Sequence, residues 1–295
     1  MSAQDQLCYE EVMRNLTKVL SSCSDRLRIQ ILKMITQAGS GHPGGSLSAI
    51  DLITALFFDA MEGWDAPSWE GLSEDRDRFV LSKGHAVPAL YAVFLEKGWM
   101  TQEEAFQLRQ LGSRLQGHPD RVRLPWVEAS TGSLGQGLSV ALGLALGLAH
   151  KKPRPQVYCL VGDGEIQEGQ IWEAALAAPK FALSHLCVIV DANGGQIDGP
   201  VEQVMPLEPL VKKWESFRWN VFEVDGHCMD EIRQTLAQVK RFRDQGSAPS
   251  VIIARTVKGK GVSFMEDQIL WHGMAPSEAQ CLQAIEEIQR RWEEK

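Results

Sequence analysis

The amino-terminal part of the chain carries apolar residues at helical spacing. Apolar side chains recur every three or four positions from Leu16 to Ile35, which predicts a helix over residues 5–37. The segment SGHPGG at 40–45 interrupts this pattern, because glycine and proline do not continue a helix. A second helix is predicted where the apolar pattern resumes, over residues 47–61.

From residue 79 onward, unbroken apolar runs alternate with amphipathic stretches. The runs predict strands at 79–81, 157–161, 186–190, 221–224 and 251–254. Helices are predicted at 168–178, 207–217 and 229–243, and Ser277-x-x-Gln280 predicts the cap of a final helix that continues to the end. Because apolar strands separated by helices are typical of parallel sheets covered on both faces, the sequence predicts an α/β fold.

The longest apolar run, residues 138–149, includes Ser139, Gly143 and Gly147. It is too short to cross a bilayer, and we expect no association with a membrane. Its small residues allow neighbouring elements to approach closely. The run therefore predicts a closely packed, buried helix.

Length and composition restrict the class of protein. The chain has 295 residues, of which 44% are hydrophobic and 23% charged, so it is too apolar to be disordered and too long for a disulfide-stapled miniprotein. We expect a single module over residues 1–295. The net charge of −8 comes without a block of basic residues, which argues against a nucleic-acid partner.

The cysteines and the amino terminus indicate the compartment. The six cysteines are scattered without a C-x-x-C pair, and Cys159 and Cys187 lie inside apolar runs, so we expect reduced core thiols. A signal peptide begins with a basic region followed by an apolar stretch. The first residues of this chain do not show that pattern. These features favour a cytoplasmic protein.

The segment VGDGE at 161–165 is the first candidate for chemistry. Two glycines flank Asp163 directly after a buried strand, and glycine lets a backbone approach a ligand closely. The segment is neither a G-x-G-x-x-G signature nor a P-loop. Taken alone, it is equally consistent with a tight turn that Asp163 caps.

A second polar residue makes a metal site the better interpretation. Asn193 lies thirty residues after Asp163, at the end of the next predicted strand, VDAN. One crossover joins two neighbouring parallel strands, so both side chains are expected at the same edge of the sheet. A carboxylate and an amide oxygen, completed by phosphate oxygens and water, are typical ligands of Mg²⁺, with Ca²⁺ or Mn²⁺ as alternatives.

Strand, GDG, helix, strand and Asn in this order resemble the metal and diphosphate motif of thiamine diphosphate enzymes. Further segments follow the order seen in transketolases: SGHPGG, LSKGHA, QGHP, TGSLGQGL, GDGEIQEGQIWEAA, VDANGGQIDG, DGH, RTVKGKGV and WHG. Over residues 25–275 the chain thus resembles the amino-terminal, diphosphate-binding module of a transketolase. The resemblance implies a thiamine-diphosphate-binding fold.

The resemblance also implies how the cofactor is held. A divalent ion would be bound by Asp163, Asn193 and the backbone carbonyl of Gly195. The other positions that match cofactor-binding residues of the family are His85, Gly132, Ser133, Leu134, Gly162, Gly164, Glu165, Ile197 and His272. For Ile197, an ordinary core position is the alternative. Gly-Ser-Leu replaces a frequent Gly-Pro-Leu at 132–134, and Gly45-Ser46 replaces a frequent Ala-Pro, so no sugar preference is inferred.

Four of the seven histidines match family positions. His42 and His118 resemble histidines that contact hydroxyls of the donor sugar, while His85 and His272 resemble those near the phosphates. We expect His42, His118 and His272 to be catalytic, the alternative for each being a loop histidine with structural bonds. Of the others, His150 and His185 are predicted at the surface and His227 in a turn.

Two sets of residues are candidates for an interface. Glu168 and Glu173 match family carboxylates at the subunit interface, the alternative being a solvated helix face. An exposed apolar interface is also expected, with Trp126, Leu134 and the helix at 168–178 as candidates. Positions in the internal core are the alternative for these.

Complete transketolases continue into a pyrimidine-binding module, for which this sequence shows no match. The resemblance therefore implies the amino-terminal subunit of a split transketolase, which moves a two-carbon ketol unit from a ketose to an aldose. It would require a partner subunit with the missing module, in an α2β2 assembly. The alternatives are a decarboxylating relative such as deoxyxylulose-phosphate synthase, a piece of a longer chain, and a non-catalytic regulatory subunit. Sugar-acid, sulfosugar and apiose-type substrates stay open.

Overall fold

A computed structural model describes residues 3–66, 69–246 and 248–293, with side chains over 12–66, 70–246 and 248–291. The helices are α1 (Ala3–Ala38), α2 (Pro43–Ala55), α3 (Val87–Glu96), α4 (Gln102–Ala105), α5 (Gln136–Leu148), α6 (Gly169–Lys180), α7 (Val201–Val204), α8 (Leu210–Ser216), α9 (Met229–Gln245) and α10 (Glu278–Glu293). The strands are β1 (Arg78–Leu81), β2 (Val157–Gly162), β3 (Leu186–Ala192), β4 (Gly195–Gln196), β5 (Gly199–Pro200), β6 (Asn220–Asp225) and β7 (Ser250–Arg255). The predicted end of the last helix at 294–295, and the side chain of Cys8, lie outside the described residues.

Five strands form a parallel sheet in the order β1-β2-β3-β7-β6, and β4 and β5 form a separate antiparallel pair. The predicted neighbours β2 and β3 are adjacent, and Gly162 at the end of β2 lies opposite Asp191 in β3. All five carboxyl ends therefore meet at one edge. The α/β prediction and the parallel sheet are confirmed.

Alternate residues of the central strands supply two hydrophobic cores. In β2, Tyr158 and Leu160 belong to the core covered by α1, α2, α3, α9 and α10. Cys159 and Val161 belong to the core covered by α5, α6 and α8. Because both faces of the sheet are covered, its strands are apolar without interruption, as the sequence indicates.

The prediction of a buried helix at 138–149 is wrong for one face of α5. Ala141 and Ala145 pack on the sheet, whereas Val140 and Leu146 are exposed and nothing approaches Gly143. An apolar run indicates that a helix tends to be buried. It does not indicate whether this chain or another chain buries it. Within the described residues, no helix is both long and apolar enough to cross a membrane.

Two further expectations are corrected by the packing. Trp126 is not an interface residue, because its side chain is only 2% exposed and stacks edge-on against Phe94 and Trp99. His185 is not a surface residue, because it is fully buried and its Nε2 bonds the carbonyl oxygen of Ala145 at 2.7 Å. Cys159 and Cys187 are buried free thiols, as expected.

Candidate active site

A cavity of about 460 Å³ lies beyond the carboxyl ends of the central strands. Its lining includes most of the predicted site residues: His42, His85, His118, Gly132, Leu134, Gly162, Asp163, Gly164, Glu165, Glu168, Asn193, Gly195, Ile197 and His272. These residues come from segments spread over most of the chain. The fold therefore brings the predicted set together in one pocket.

Asp163 connects the turn after β2 to the loop after β3. Its Oδ1 accepts a hydrogen bond from the backbone N–H of Gly164 at 2.8 Å, and its Oδ2 accepts one from Gly194 at 2.6 Å. Gly194 has a φ of +74°, a conformation that favours glycine. Burial, with repulsion from Asp191, raises the pKa of Asp163 to about 6. A bound cation would relieve this penalty.

The orientation of the Asn193 amide is fixed by its own hydrogen bonds. Nδ2 donates to Asp191 Oδ2 at 3.1 Å and to Ser48 Oγ at 3.3 Å, while Oδ1 accepts from the N–H of Gly195 at 3.2 Å. The atom that faces the Asp191 carboxylate must be the NH₂ group, because a carboxylate only accepts hydrogen bonds. The atom that faces the N–H of Gly195 must be the oxygen. The assignment of oxygen and nitrogen therefore follows from the network.

The donors in this region fit a hard divalent cation. Asp163 and Asn193 contribute a carboxylate and an amide oxygen, and Gly195 carries a backbone carbonyl. In the described part of the chain, no group of three His, Cys, Asp or Glu residues could hold a metal ion. A metal here would take its remaining ligands from phosphate and water, which is typical of Mg²⁺.

A buried ion pair supports this loop, and the sequence prediction missed it. The Lys83 ammonium donates to the Asp191 carboxylate and, at 3.1 Å, to the carbonyl oxygen of Gly45. Asp191 also accepts from Ser48 and Thr256. Burial alone would raise the pKa of Asp191, but the Lys83 ammonium holds it below its usual range. The charge at the end of the apolar run VIVD was the available signal.

The four predicted histidines form one cluster. The ring centroid of His42 lies 5.2 Å from that of His85, 5.7 Å from that of His272 and 6.5 Å from that of His118. The rings of His85 and His272 stack with their centroids 5.3 Å apart. Burial lowers the pKa of His42 to about 4 and that of His272 to about 3, with neighbouring cations adding to the effect. These two rings are therefore neutral at neutral pH.

Comparison with known proteins assigns the family. Residues 20–292 match the model of the family described as "Transketolase, thiamine diphosphate binding domain". One subunit of the apulose-4-phosphate transketolase from Phocaeicola vulgatus is 40% identical over 271 residues, which cover 92% of this chain and 94% of that protein. The chain belongs to the transketolase family.

Two other members of the family show how much of a transketolase the chain spans. The 6-deoxy-6-sulfo-D-fructose transketolase subunit SqwG of Clostridium sp. (strain MSTE9) is 42% identical, over 90% of this chain and 94% of its own length. The solved transketolase from Leishmania mexicana superposes with a TM-score of 0.83 at 30% identity, over 93% of this chain and 41% of that one. The chain thus matches nearly all of two named subunits but under half of this transketolase. The thiamine-diphosphate-binding fold is confirmed.

Two cations in or beside the candidate site were also missed from sequence. Lys258, only 2% exposed, lines the pocket, and its Nζ donates to His272 Nδ1 at 3.3 Å. Burial and the nearby Lys83 lower the pKa of Lys258 to about 8. Arg109 donates from Nη2 to His42 Nδ1 at 3.3 Å. Lys258 lies in the motif RTVKGKGV, but nothing in the sequence marks Arg109.

Gly195 leaves room for the side chain of Lys258. A Cβ at position 195 would lie 2.6 Å from Lys258 Cε and 2.8 Å from Ile269 Cδ1. The absence of a side chain lets the lysine stem pass directly over the backbone of this loop. The ammonium consequently lies in the same pocket as Asp163 and Asn193.

Glu165 has a structural set of bonds within the pocket. Its Oε1 accepts from the N–H of Gly135 at 3.0 Å and from Ser82, and its Oε2 accepts from the N–H of Gly162 at 3.0 Å. Burial raises its pKa. Because both oxygens bond to protein, Glu165 joins three segments of the lining.

The remaining predicted residues lie at the rim or outside the pocket. Leu134, Glu168 and Ile197 line the pocket with exposed side chains. Ser133 does not line it, and its Oγ accepts from Gln136 Nε2 at 3.0 Å. Glu173 lies on the exposed face of α6, away from the pocket.

Proposed function

We propose that this chain is the diphosphate-binding subunit of a two-chain transketolase that moves a two-carbon ketol unit from a ketose to an aldose. The observation that carries the proposal is the single pocket that combines Asp163 and Asn193 with four histidines and the Lys258 ammonium. The oxygen donors can hold a metal, the cation can bind phosphate, and the neutral rings can bind hydroxyl groups.

Asp163, Asn193 and the Gly195 carbonyl would hold Mg²⁺, and the ion would bind the diphosphate of thiamine diphosphate. Lys258 makes no ion pair with any described residue, so its charge is available to phosphate oxygens. Bound thiamine diphosphate supplies the carbanion chemistry, and the protein supplies binding and orientation. The exposed side chains of Leu134 and Ile197 would cover the ring region of the cofactor at the rim.

His42, His118 and His272 would orient sugar hydroxyls. All three line the pocket, and burial lowers the pKa of each ring. A neutral imidazole has one donor and one acceptor nitrogen; in His42 and His272 one of the two is already bonded to a cation, which leaves the other for a hydroxyl group. These residues would position the substrate carbon chain above the cofactor.

The names of the two subunit relatives support a partner. Both are subunits of a transketolase, and the chain matches 94% of each. We propose a partner chain with the pyrimidine-binding module, in an α2β2 assembly. It would supply the groups that activate the aminopyrimidine ring and bind much of the substrate.

The exposed side of α5 and α6 is the surface that we assign to this partner. The α5–α6 face consists of Val140, Gly143, Leu146 and Gly147 of α5, Leu176 of α6, and Phe181, which directly follows α6. The two helices are tied together by a hydrogen bond from Gln170 to Ser139 at 3.0 Å. An apolar patch of this kind marks an interaction surface. It adjoins the turn that carries Leu134, so a partner seated there would also close the pocket.

Turnover measurements test the proposal. The chain and a candidate partner that carries a pyrimidine-binding module are assayed separately and together, with Mg²⁺, thiamine diphosphate and an aldose acceptor. The donors are apulose 4-phosphate, 6-deoxy-6-sulfo-D-fructose and a phosphorylated ketose. We expect turnover only from the mixture. Robust activity from the chain alone would contradict partner dependence, and a mixture that decarboxylates a 2-oxo acid instead would favour a synthase.

A further inference from the structure

The two nitrogens of the His42 ring have different environments. Nδ1 receives a hydrogen bond from Arg109 Nη2 at 3.3 Å. A guanidinium has only donors, so Nδ1 must hold a lone pair and the proton of the neutral ring must reside on Nε2. Among the described residues, Nε2 has no hydrogen-bond partner, and the ring lines the pocket.

Charges around His42 keep the ring neutral. Burial is the largest cause of its lowered pKa of about 4, followed by Arg109, His118, Lys258 and Lys83. No carboxylate is among these causes. The lone pair on Nδ1 is therefore retained across the neutral range.

Arg109 is held firmly enough to impose this state. Its Nη1 donates to Ser40 Oγ at 3.2 Å and its Nη2 donates to the carbonyl oxygen of Gly117 at 3.3 Å. A Cβ at Gly117 would lie 2.6 Å from the guanidinium carbon, so the glycine provides its space. The backbone of Arg109 is left-handed, with a φ of 59°, and its N–H is bonded to Leu115. Such a conformation in a residue other than glycine is frequent at functional sites.

His272 shows the same arrangement with a different cation. The Lys258 ammonium donates to His272 Nδ1 at 3.3 Å, so this ring also carries its proton on Nε2. A Cβ at Gly273, the residue after His272, would lie 3.7 Å from His42 Nε2. In both rings, which come from distant segments, a hydrogen bond from a cationic side chain to Nδ1 therefore fixes the same tautomer.

We propose that Arg109 is a positioning residue that locks His42 in the neutral Nε2–H form, so that the ring donates a hydrogen bond to a substrate oxygen and does not act as a base. The identity of the acceptor as a sugar oxygen rests on the function proposed above. The tautomer itself rests only on contacts within this chain. The two statements therefore fail separately.

Nitrogen NMR of the full chain, labelled with ¹⁵N-histidine, tests the tautomer without cofactor or partner. At pH 7.5 we expect His42 to show a protonated Nε2 and an unprotonated Nδ1, with the signals assigned by His42→Gln. Arg109→Met should convert His42 to a mixture of tautomers and leave His272 unchanged, while Arg109→Lys should restore much of the original signature. A protonated Nδ1 in the parent chain, or no change in Arg109→Met with an intact fold by circular dichroism, would overturn the proposal.

Kinetics of the assembled enzyme test the consequence. Loss of one oriented neutral hydrogen bond corresponds to about 0.5–1.5 kcal/mol, so Arg109→Met should lower kcat/KM for the ketose by about two- to thirteenfold. Arg109→Lys should recover most of this loss, and the affinity for thiamine diphosphate should not change. An unaltered kcat/KM alongside a changed tautomer would overturn the assigned role. Absence of turnover in the parent assembly would contradict the proposed function and leave the NMR result standing.

Discussion

Lys83 and Asp191 form a fully buried ion pair directly beneath the loop of the candidate metal site. The exposed fractions of their side chains are 1% and 0%. Asp191 also binds the Nδ2 of Asn193, so one charged pair fixes both the loop and the direction of its amide. The local order of the site thus depends on residues that do not themselves supply metal ligands.

Replacement of Asp191 by Asn should destabilise the chain strongly. Removing one partner of a buried pair leaves the Lys83 charge uncompensated, which costs about 3–5 kcal/mol in the free energy of unfolding. Urea denaturation gives this value. The exposed Asp198→Asn, in the same loop region, is the control and should change stability by less than about 0.5 kcal/mol. Equal effects of the two variants would contradict the importance of the pair.

Two glycines of α5 should respond in opposite ways to alanine. A Cβ at Gly137 would lie 2.3 Å from Ser82 Oγ and 2.7 Å from Ser82 Cα, so Gly137→Ala should cost about 1–3 kcal/mol by overpacking. Nothing lies near Gly143, so Gly143→Ala should stabilise the isolated chain by up to about 1 kcal/mol through helix propensity. Thermal unfolding compares them. Destabilisation by both would mean that the outer side of α5 is covered in the isolated chain.

A charge on the α5–α6 face should weaken the assembly with the partner. Leu176 is 67% exposed in the isolated chain, so Leu176→Lys should leave its thermal stability unchanged. Loss of an apolar contact and burial of a charge should reduce the affinity for the partner by at least about tenfold, as measured by calorimetry. Leu282→Lys is the matched control, since Leu282 is 63% exposed on α10, across the sheet. Equal effects on affinity would show that the partner binds elsewhere.

The stability of the chain should fall as the pH decreases below about 6.5. The pKa of His42 is lowered to about 4 and that of His272 to about 3, so in this range the unfolded chain binds more protons than the folded chain. The contribution of these two histidines to the free energy of unfolding is fully present above pH 6.5. It is lost progressively as the pH falls towards their folded-state pKa values. Urea denaturation at pH 7.5, 6 and 5 measures the slope, which His42→Gln should reduce. A slope that His42→Gln leaves unchanged would mean that His42 is not the titrating group.

The sequence predicts where the polar residues at the strand ends of the site lie. It does not predict which contacts the charged residues around them make. Periodicity and the rules for parallel sheets place Asp163 and Asn193 at adjacent strand ends, because that placement depends only on the order of the elements. Lys83 and Lys258 lie in family motifs that do not indicate what each ammonium contacts, and Arg109 lies in no motif. Their roles depend on which distant segment each one reaches, and this information appears only in the folded chain.

The errors about burial have a similar origin. Trp126 and His185 each lie in short segments whose surroundings are formed by remote parts of the chain, so local sequence does not indicate their burial. The apolar run of α5 was correctly assigned as a helix, but its glycines indicated close packing without indicating the partner. The roles of the individual site residues stay predictions.

Calorimetric titration of thiamine diphosphate into the assembled enzyme tests the central claim most directly, namely that Asp163 and Asn193 hold the cofactor through a divalent metal. Binding should require Mg²⁺, and Asp163→Ala should weaken it by at least about 100-fold, since even the groups that support metal ligands contribute about 10–100-fold. Glu286→Ala, exposed on α10 across the sheet from α6, should bind as tightly as the parent protein. Undiminished binding in EDTA, or by Asp163→Ala, would contradict the account.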